Sequence, residues 1–185
     1  MFNLHHRINR ILIKLSYRFG VSKLFSMPKM LALDPTNLCD LKCPLCPTGL
    51  RDKTVQRGSI KLEQFKIIVN RLGKYIQSIN LYSWGEPLLH KSLVDMIRHT
   101  AINHKIRTIT SVHLGNLSDE QVEGLATSGL DKLIVSVDGT TQEVYEKYRV
   151  GGDIEKVFAN MKRLVEAKKR HNSKVNVVWN FLVMK

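Results

Sequence analysis

From residue 30 onward, apolar residues follow two alternating spacings. Short apolar runs predict strands at Met30–Asp34, Ser78–Ser83, Arg107–Val112, Leu133–Val137 and Val175–Met184. Between these runs, apolar residues recur every three or four positions, as on one face of a helix. This alternation predicts an α/β fold whose parallel strands are joined by right-handed crossovers. The helical stripes are Leu62, Phe65, Ile68, Val69, Leu72 and Ile76; Leu89, Leu93, Met96 and Ile97; and Ile154, Val157, Phe158, Met161, Leu164 and Val165.

One further helix is predicted from its starting residues. Ser118 is a suitable N-cap, and Gln121 follows three residues later, which is the spacing of a capping box. The pair predicts that a helix begins at Ser118, between the third and fourth strands.

The number of strands indicates part of a barrel. A complete eight-stranded α/β barrel takes about 250 residues, whereas this chain has 185. We therefore expect a parallel partial TIM-type (β/α)6 barrel, with about five strands in this chain. The last predicted strand reaches Met184, where a parallel sheet normally continues into a covering helix. Residues 30–185 are thus predicted to form a core domain that is incomplete at its C-terminus and belongs to a longer chain.

Residues 1–29 are predicted to form an N-terminal extension with a basic amphipathic helix at residues 4–20. A helix of this kind can contact a membrane surface peripherally or bind a partner. Packing of its apolar face on the domain body is the expectation, because most amphipathic helices serve packing. The apolar positions at helical spacing are Leu4, Ile8, Ile11, Leu12, Leu15 and Phe19.

The chain is strongly basic, with a net charge of +13. Part of this charge is local, because residues 1–33 contain six arginines and lysines and no acid. Such an excess favours anionic partners in general, including nucleic acid, acidic peptides and membrane surfaces. Nucleic acid is not expected, since the run Lys168-Lys169-Arg170 fits the charged end of a helix and has no aromatic or groove-reading context. No apolar run is long enough to span a bilayer.

All three cysteines of the chain, Cys39, Cys43 and Cys46, lie within eight residues. Secreted disulfide scaffolds usually spread paired cysteines along the chain, so these thiols are interpreted as ligands in a reducing, cytoplasmic compartment. Thiolates suit zinc, Cu(I) and iron–sulfur clusters. A structural zinc site takes four protein ligands, and a distant histidine such as His90 or His113 would have to complete it. In a cubane cluster, three thiolates leave one iron open to another ligand.

The residues with chemical potential follow the predicted strands. The cysteine loop comes after the first strand, Gly85-Glu86-Pro87 after the second, and Ser136 and Asp138 at the end of the fourth. Parallel α/β sheets place their ligand sites at the carboxyl ends of the strands. These residues are therefore expected to meet in one site.

The C-x3-C-x2-C spacing of the cysteines resembles that of the radical S-adenosylmethionine (radical SAM) superfamily, and the resemblance covers roughly residues 30–185. In that family, three cysteines in this pattern bind a [4Fe-4S] cluster, and the methionine moiety of S-adenosylmethionine chelates the open iron. An electron from the reduced cluster cleaves the sulfonium and releases a 5′-deoxyadenosyl radical, which abstracts a hydrogen atom from the substrate. By this resemblance Cys39, Cys43 and Cys46 are expected to hold the cluster.

Three further segments carry the resemblance. Gly85-Glu86-Pro87 resembles the family's G-G-E-P motif, which meets the methionine amino group. Ser136-Val137-Asp138-Gly139 resembles the S-x-D-G segment of the branch with a C-terminal SPASM or twitch domain. Arg149-Val150-Gly151-Gly152 resembles that branch's segment in which Arg helps hold the methionine carboxylate, and a guanidinium is a good carboxylate partner. The resemblance thus implies a cofactor-binding role for Gly85, Glu86, Pro87, Ser136, Asp138 and Arg149.

Two positions depart from the family pattern. Leu45 stands where the family usually has an aromatic residue near the adenine, and it is still expected to contact the cofactor. Trp84 stands where the G-G-E-P motif has its first glycine. At the end of the third strand, Ser111 or His113 could face the cofactor, and Ser111 is preferred. Trp84 and Tyr82 are interpreted as packing residues rather than as substrate-stacking ones.

The resemblance implies a radical SAM enzyme that cleaves S-adenosylmethionine reductively, with a flavodoxin- or ferredoxin-like protein as reductant. Members of the branch modify peptides, proteins, sugars and other small molecules, and the residues of this chain select none of these substrates. A second hypothesis is a non-enzymatic zinc- or cluster-binding module with a basic partner-binding surface. The observation behind it is the net charge of +13.

Overall fold

The computed structural model describes residues 4–183. Strands and helices alternate over most of this range, and a 3₁₀ turn and a π-helical turn interrupt the connection between the second and third strands. The elements are α1 (Leu4–Arg18), β1 (Met30–Ala32), α2 (Leu62–Leu72), β2 (Ser78–Asn80), the 3₁₀ turn (Pro87–Leu89), α3 (Leu93–Arg98), the π turn (His99–Asn103), β3 (Arg107–Val112), α4 (Asp119–Thr127), β4 (Lys132–Ser136), α5 (Gln142–Tyr148), α6 (Ile154–Arg170) and β5 (Asn176–Asn180).

The five strands form one parallel sheet in the order β1-β2-β3-β4-β5. Strands that are consecutive in the chain are therefore neighbours in the sheet, as in the wall of an α/β barrel. The sheet is open, with β1 and β5 at its two edges. The predicted α/β class and the five parallel strands are confirmed.

Some strands are shorter than the sequence predicts. β1 and β2 stop before their predicted ends. Beyond that point the Asp34 carboxylate accepts hydrogen bonds from the backbone N–H groups of Ser83 and Trp84, at 3.0 and 2.8 Å. The Asp34 side chain thus takes the place of backbone hydrogen bonds between the strands, and both segments continue as loops. β5 also ends early, and the predicted strand end at Met184 lies outside the described residues.

Buried and partly exposed side chains alternate along the sheet. In β4, Leu133 and Val135 are fully buried, whereas Ile134 and Ser136 are partly exposed. This is the two-residue period of a strand that has one face in the core. The buried face belongs to a single hydrophobic core, to which the helices contribute Phe65, Val69, Leu93, Met96, Ile97, Val122, Leu125, Ile154, Val157 and Leu164.

The helix predicted from its capping box is confirmed as α4. The Ser118 hydroxyl accepts a hydrogen bond from the Gln121 N–H at 3.1 Å, and the Gln121 side-chain oxygen accepts one from the Ser118 N–H at 3.1 Å. The Gln121 amide also donates to the Leu88 carbonyl at 2.7 Å. This last bond ties the start of α4 to the 3₁₀ turn after β2.

The hydrophobic pattern did not predict α5. This helix has seven residues and begins after Thr141, whose hydroxyl accepts a hydrogen bond from the Val144 N–H at 3.4 Å. Only Tyr145 of the helix is buried, so two turns offer too few apolar positions to show a period. The helix ends at Tyr148 and delivers Arg149 to the carboxyl edge of the sheet.

The N-terminal helix α1 begins at Leu4 and ends at Arg18. Its residues Leu4, Ile8, Ile11 and Leu15 are exposed, and Leu12 is partly exposed. The His5 ring of this helix meets the Tyr75 ring of the domain body edge-on, with the ring centroids 6.3 Å apart. No helix within residues 4–183 is long and apolar enough to cross a membrane.

Candidate active site

A cavity of about 290 Å³, here called the strand-end cavity, lies at the carboxyl ends of β1 to β4. It gathers residues from the cysteine loop, the loop after β2, the ends of β3 and β4, and the end of α5. Pro87 and Asp138 do not line it. The predicted site residues in its wall are Cys39, Cys43, Leu45, Cys46, Gly85, Glu86, Ser111, Ser136 and Arg149.

The three cysteines enter this cavity on one loop. Cys43 is buried, and Cys39 and Cys46 are partly exposed. The Cys46 N–H donates to the Cys43 carbonyl at 3.2 Å, which closes a tight turn. The Lys42 N–H donates to the Val150 carbonyl at 2.9 Å, which ties the loop to the segment after α5. Folding thus places all three cysteines in the lining of one cavity.

Gly85 and Glu86 bring the loop after β2 against the cysteine loop. The Glu86 N–H donates to the Leu38 carbonyl at 2.8 Å. A Cβ atom at position 85 would lie 1.8 Å from the Thr36 carbonyl oxygen. Because no side chain fits in that space, the two backbones approach each other only if residue 85 is glycine.

The Glu86 carboxylate is buried and organises its own turn. One oxygen accepts a hydrogen bond from the Leu88 N–H at 3.2 Å, and the other accepts one from the His113 N–H at 2.8 Å. Burial raises the pKa of Glu86, against the opposing effect of the nearby His113 ring. Pro87 supplies the first residue of the 3₁₀ turn, so its position supports the turn rather than the cavity wall.

His113 is more closely connected in the site than the preferred candidate, Ser111. Its Nε2 lies 2.8 Å from Asp40 and 3.4 Å from Glu86, and the Gly115 N–H donates to its Nδ1 at 3.0 Å. Burial lowers the pKa of His113 and the carboxylates of Glu86 and Asp40 raise it; protonation of Nδ1 would break the hydrogen bond from Gly115. Ser111 also lines the cavity. The sequence offered no sign that Asp40 would meet His113, because the two are 73 residues apart.

Ser111 and Ser136 reach the cavity through strand alternation. Val112 and Val135 point into the core, so their chain neighbours Ser111 and Ser136 face the opposite side of the sheet. Both serines line the strand-end cavity. The carboxyl ends of β3 and β4 therefore lie at the same cavity.

The partly exposed Arg149 and the buried Asp138 form an ion pair beside the cysteines. The Arg149 Nε donates to Asp138 at 2.6 Å, and its Nη1 lies 4.0 Å from the Cys43 sulfur. The second Asp138 oxygen accepts a hydrogen bond from the Leu182 N–H at 2.9 Å. Asp138 thus orients Arg149 from outside the cavity, through the Nε of the guanidinium. Burial raises the pKa of the Cys43 thiol, and the Arg149 guanidinium acts in the opposite direction.

The donor set of the cavity fits an iron–sulfur cluster. Three thiols share one wall, and Arg149 provides a cation for an anionic thiolate group. His90 is not available as a fourth zinc ligand, because its two ring nitrogens contact the Ile60 carbonyl at 2.8 Å and the Ser92 N–H at 3.1 Å. His113, in contrast, is close enough to Cys39 and Asp40 to share a metal ion with them. Ligand atoms of Cys39, Asp40 and His113 lie within 4.8 Å of one another.

A family model described as Radical SAM superfamily matches residues 33–184. Among curated proteins, PqqA peptide cyclase from Rhodopseudomonas palustris is 32% identical over 136 residues, which make up 72% of this chain and 34% of that protein. A probable GTP 3′,8-cyclase from Methanocaldococcus jannaschii is 30% identical over 139 residues, or 75% of this chain and 46% of that protein. The chain thus spans about a third to a half of the length of these relatives.

Solved structures show the same fold. Streptococcus suis SuiB bound to S-adenosylmethionine has a TM-score of 0.67 at 18% identity, over 91% of this chain and 37% of SuiB. BtrN in complex with AdoMet and 2-DOIA has a TM-score of 0.57 at 20% identity, over 84% of this chain and 58% of BtrN. At these identities the likeness concerns the fold alone, which is a partial TIM barrel.

Proposed function

This chain belongs to the radical SAM superfamily, and on that premise we propose that it binds a [4Fe-4S] cluster and S-adenosylmethionine and cleaves S-adenosylmethionine reductively. The observation that carries the proposal is the strand-end cavity, where Cys39, Cys43 and Cys46 share one wall with Gly85 and Arg149. The family's cofactors are this cluster and S-adenosylmethionine.

The three cysteines would hold the cluster, and residues around them would hold S-adenosylmethionine. When bound, the two groups supply the family's radical chemistry, in which one electron breaks a sulfonium C–S bond, leaving methionine and the 5′-deoxyadenosyl radical that takes a hydrogen atom from the substrate. The electron would come from a flavodoxin- or ferredoxin-like protein. We place the chain in the cytoplasm, because thiol ligands need a reducing compartment. The part of the chain that the structure describes adds no helix able to span a membrane.

Arg149 is suited to a carboxylate ligand. Asp138 occupies its Nε, and its Nη1 lies 4.0 Å from Cys43, so the outer guanidinium nitrogens are turned toward the cavity. The Tyr148 ring lies under the guanidinium, at 5.3 Å from its centroid, and restricts its movement. A guanidinium held in this way orients a carboxylate with little loss of conformational entropy.

The amino group of S-adenosylmethionine would lie against the loop at Gly85 and Glu86, which lines the cavity. Both Glu86 oxygens already accept backbone hydrogen bonds, so this side chain fixes the loop. Ser111, Ser136 and Leu45 complete the lining and would meet the rest of S-adenosylmethionine. Asp138 acts as a positioning residue for Arg149 in this arrangement.

The segments around Ser136 and Arg149 support membership of the SPASM/twitch branch. Asp138 links them physically, since its side chain contacts Arg149 and the chain after β5. We propose that the substrate is a peptide, a protein or a small molecule. The relatives named above are a peptide cyclase and a nucleotide cyclase. A nucleic-acid substrate is not part of the proposal.

The test is anaerobic and compares three proteins. The wild type, Cys43→Ala and Ser128→Ala are reconstituted with iron and sulfide, and 5′-deoxyadenosine is measured after S-adenosylmethionine and a strong reductant are added. Ser128→Ala is the control. Ser128 is also buried, but it lies before β4, at the amino ends of the strands and away from the cavity. Wild type and Ser128→Ala should form product, and Cys43→Ala should form none. Equal product from Cys43→Ala, or none from the wild type with a full cluster, would contradict the proposal.

A zinc module is the second candidate, because Cys39, Asp40 and His113 can meet one ion. Metal and sulfide analysis of anaerobically purified protein separates the two candidates. Iron and sulfide in equal amounts support the cluster. One zinc per chain without sulfide, lost in His113→Ala, supports the module.

A further inference from the structure

The N-terminal extension has a defined shape although little of it is buried. α1 ends in a Schellman motif: Gly20 has a φ of 61°, the Val21 N–H donates to the Ser16 carbonyl at 3.0 Å, and the Gly20 N–H donates to the Tyr17 carbonyl at 3.4 Å. The chain then returns along the helix. Residues 4–30 therefore form a hairpin of one helical limb and one irregular limb, here called the N-terminal hairpin.

One buried side chain joins the two limbs of this hairpin. The Asn9 amide donates to the Met27 carbonyl at 2.9 Å, and its oxygen accepts a hydrogen bond from the Met27 N–H at 2.7 Å. Asn9 is the only buried residue of α1. The hairpin is thus held by polar bonds, and its apolar side chains remain available.

These apolar side chains form an open groove and a rim. The groove measures about 870 Å³ and lies between the limbs. Three aromatic rings protrude beside it, with Tyr17 91%, Phe25 81% and Phe19 73% exposed. Exposed apolar surface of this extent marks an interaction site. The apolar side chains of the groove are Ile13, Tyr17, Val21, Leu24, Met27, Pro28 and Met30.

Unpaired cations surround the apolar surface. The six arginines and lysines of residues 1–33 are exposed, and within residues 4–183 none of them forms an ion pair. No acid lies among them in the sequence. The hairpin therefore combines apolar insertion surface with uncompensated positive charge. The cations are Arg7, Arg10, Lys14, Arg18, Lys23 and Lys29.

We propose that the N-terminal hairpin docks on an anionic lipid bilayer surface. Its rings and groove residues enter the boundary between headgroups and acyl chains, and its cations contact lipid phosphates and carboxylates. The charge complementarity selects this occupant. A second copy of the hairpin would bring six further cations onto the same face, and nucleic acid would gain nothing from the protruding aliphatic side chains.

Docking in this way leaves the strand-end cavity accessible. The hairpin joins the sheet at the amino ends of the strands, where the Lys29 carbonyl accepts hydrogen bonds from the Gln77 and Ser78 N–H groups at 2.7 and 3.4 Å. The cysteine loop follows the opposite, carboxyl ends. A bilayer at the hairpin therefore lies across the sheet from the cavity, and the inference does not depend on the chemistry proposed there.

Vesicle flotation tests the proposal with the full chain. Wild type is mixed with vesicles of phosphatidylcholine alone and of phosphatidylcholine with phosphatidylserine, at low and at high salt. We expect binding only to the anionic vesicles, weakened by salt. A triple variant, Arg10→Gln with Lys14→Gln and Arg18→Gln, should bind about a hundredfold less tightly, given the typical contribution of each cation near a charged bilayer.

The matched control removes the same charge elsewhere. Lys91→Gln, Lys162→Gln and Lys169→Gln change three exposed lysines outside the hairpin and should leave vesicle binding within about twofold of wild type. Phe19→Ser with Phe25→Ser alters two exposed rings without touching the core. It should weaken binding even at low salt, because the apolar contribution is not screened.

Several results would overturn the proposal. The first is equal binding to neutral and anionic vesicles. The second is an equal loss of vesicle binding in the triple variant of the hairpin and in the triple control variant outside it. The third is unchanged vesicle binding in the Phe19→Ser, Phe25→Ser variant. Tighter binding to a duplex oligonucleotide than to the anionic vesicles would assign the surface to nucleic acid instead. Dimerisation in light scattering that the Phe19→Ser, Phe25→Ser variant abolishes would assign it to a second copy.

Discussion

Gly85 shows how little space separates the two loops that build the candidate site. Its missing side chain lets the loop after β2 lie directly on Thr36, and the adjacent Glu86 N–H reaches the Leu38 carbonyl. Its sequence neighbourhood predicted a role in cofactor binding. The structure adds a packing role at the same residue. The two roles are compatible, because Thr36 occupies the space that a side chain at position 85 would fill, and the rest of the residue lines the cavity.

The Gly85→Ala variant should therefore lose stability even without a cofactor. The new methyl group would overlap the Thr36 carbonyl oxygen, and overpacking of this kind costs about 2 kcal/mol. Urea unfolding of the apo protein measures the loss. Gly58→Ala is the matched control, since a Cβ at position 58 meets no atom within 4 Å. Equal stability of the two variants would show that the loops are not packed as described.

Tyr145 of α5 combines a fully buried ring with a hydroxyl that has no hydrogen-bond partner among the described residues. Burial raises its pKa from 10.0 to about 12. A raised pKa means that the folded state favours the neutral phenol. The stabilisation is complete below about pH 10 and is lost as the pH rises through about 12.

We expect Tyr145→Phe to flatten this part of the pH profile. Between about pH 10 and 12, the free energy of unfolding of the wild type should fall by about 2 kcal/mol more than that of the variant, because most of the contribution of a shift of two pKa units is lost within this range. Urea titrations across this range give the difference. Tyr17→Phe removes an exposed hydroxyl and should follow the wild type. If the free energy of unfolding of Tyr145→Phe changes with pH as that of the wild type does, the burial of this hydroxyl is contradicted.

At the scale of elements, helix termini connect the sheet to the candidate site. The start of α4 is fixed by the reciprocal bonds of Ser118 and Gln121, and the Gln121 amide reaches the 3₁₀ turn that follows Glu86. The end of α5 delivers Arg149. α4 was predicted because a capping box is a local pattern, whereas α5 was missed because it is short and has one buried residue.

Ser118→Ala should lower the free energy of unfolding by about 1 kcal/mol, the usual effect of losing a helix N-cap. Chemical denaturation measures the change. Ser22→Ala is the control, since Ser22 is exposed and caps no helix. If Ser118→Ala and Ser22→Ala have the same stability, the capping box does not hold α4.

At the scale of the whole molecule, three loops and one helix end converge on the cysteines, so cluster binding should stabilise the fold globally. Ligands that bind only the native state raise the unfolding temperature. Anaerobic reconstitution with iron and sulfide should raise the thermal midpoint by about 5–10 °C over chelator-treated protein. Scanning fluorimetry under anaerobic conditions measures the midpoint.

Cys43→Ala provides the comparison for this measurement. It should show no rise with iron and sulfide, because the buried thiol of the loop is gone. A similar rise in Cys43→Ala would place the metal elsewhere. A rise with zinc alone, absent in His113→Ala, would point to the Cys39, Asp40 and His113 set.

The sequence by itself determined the features that depend on nearby residues. The spacing of Cys39, Cys43 and Cys46, the alternation of strands and helices, and the Ser118 capping box can all be read from positions a few residues apart. Each rests on a local period or on short-range hydrogen bonding. The parallel sheet follows from the alternation, because strands connected through helices run in one direction.

Only the tertiary structure decided which distant residues meet. Arg149 reaches Cys43 across 106 positions, and His113 reaches Asp40 across 73. It also showed that Asp138 accepts a hydrogen bond from the Arg149 Nε and that Leu4, Ile8, Ile11 and Leu15 of α1 stay exposed. These outcomes depend on strand register, loop packing and the competition of many side chains for the same space, and no local pattern of residues contains that information.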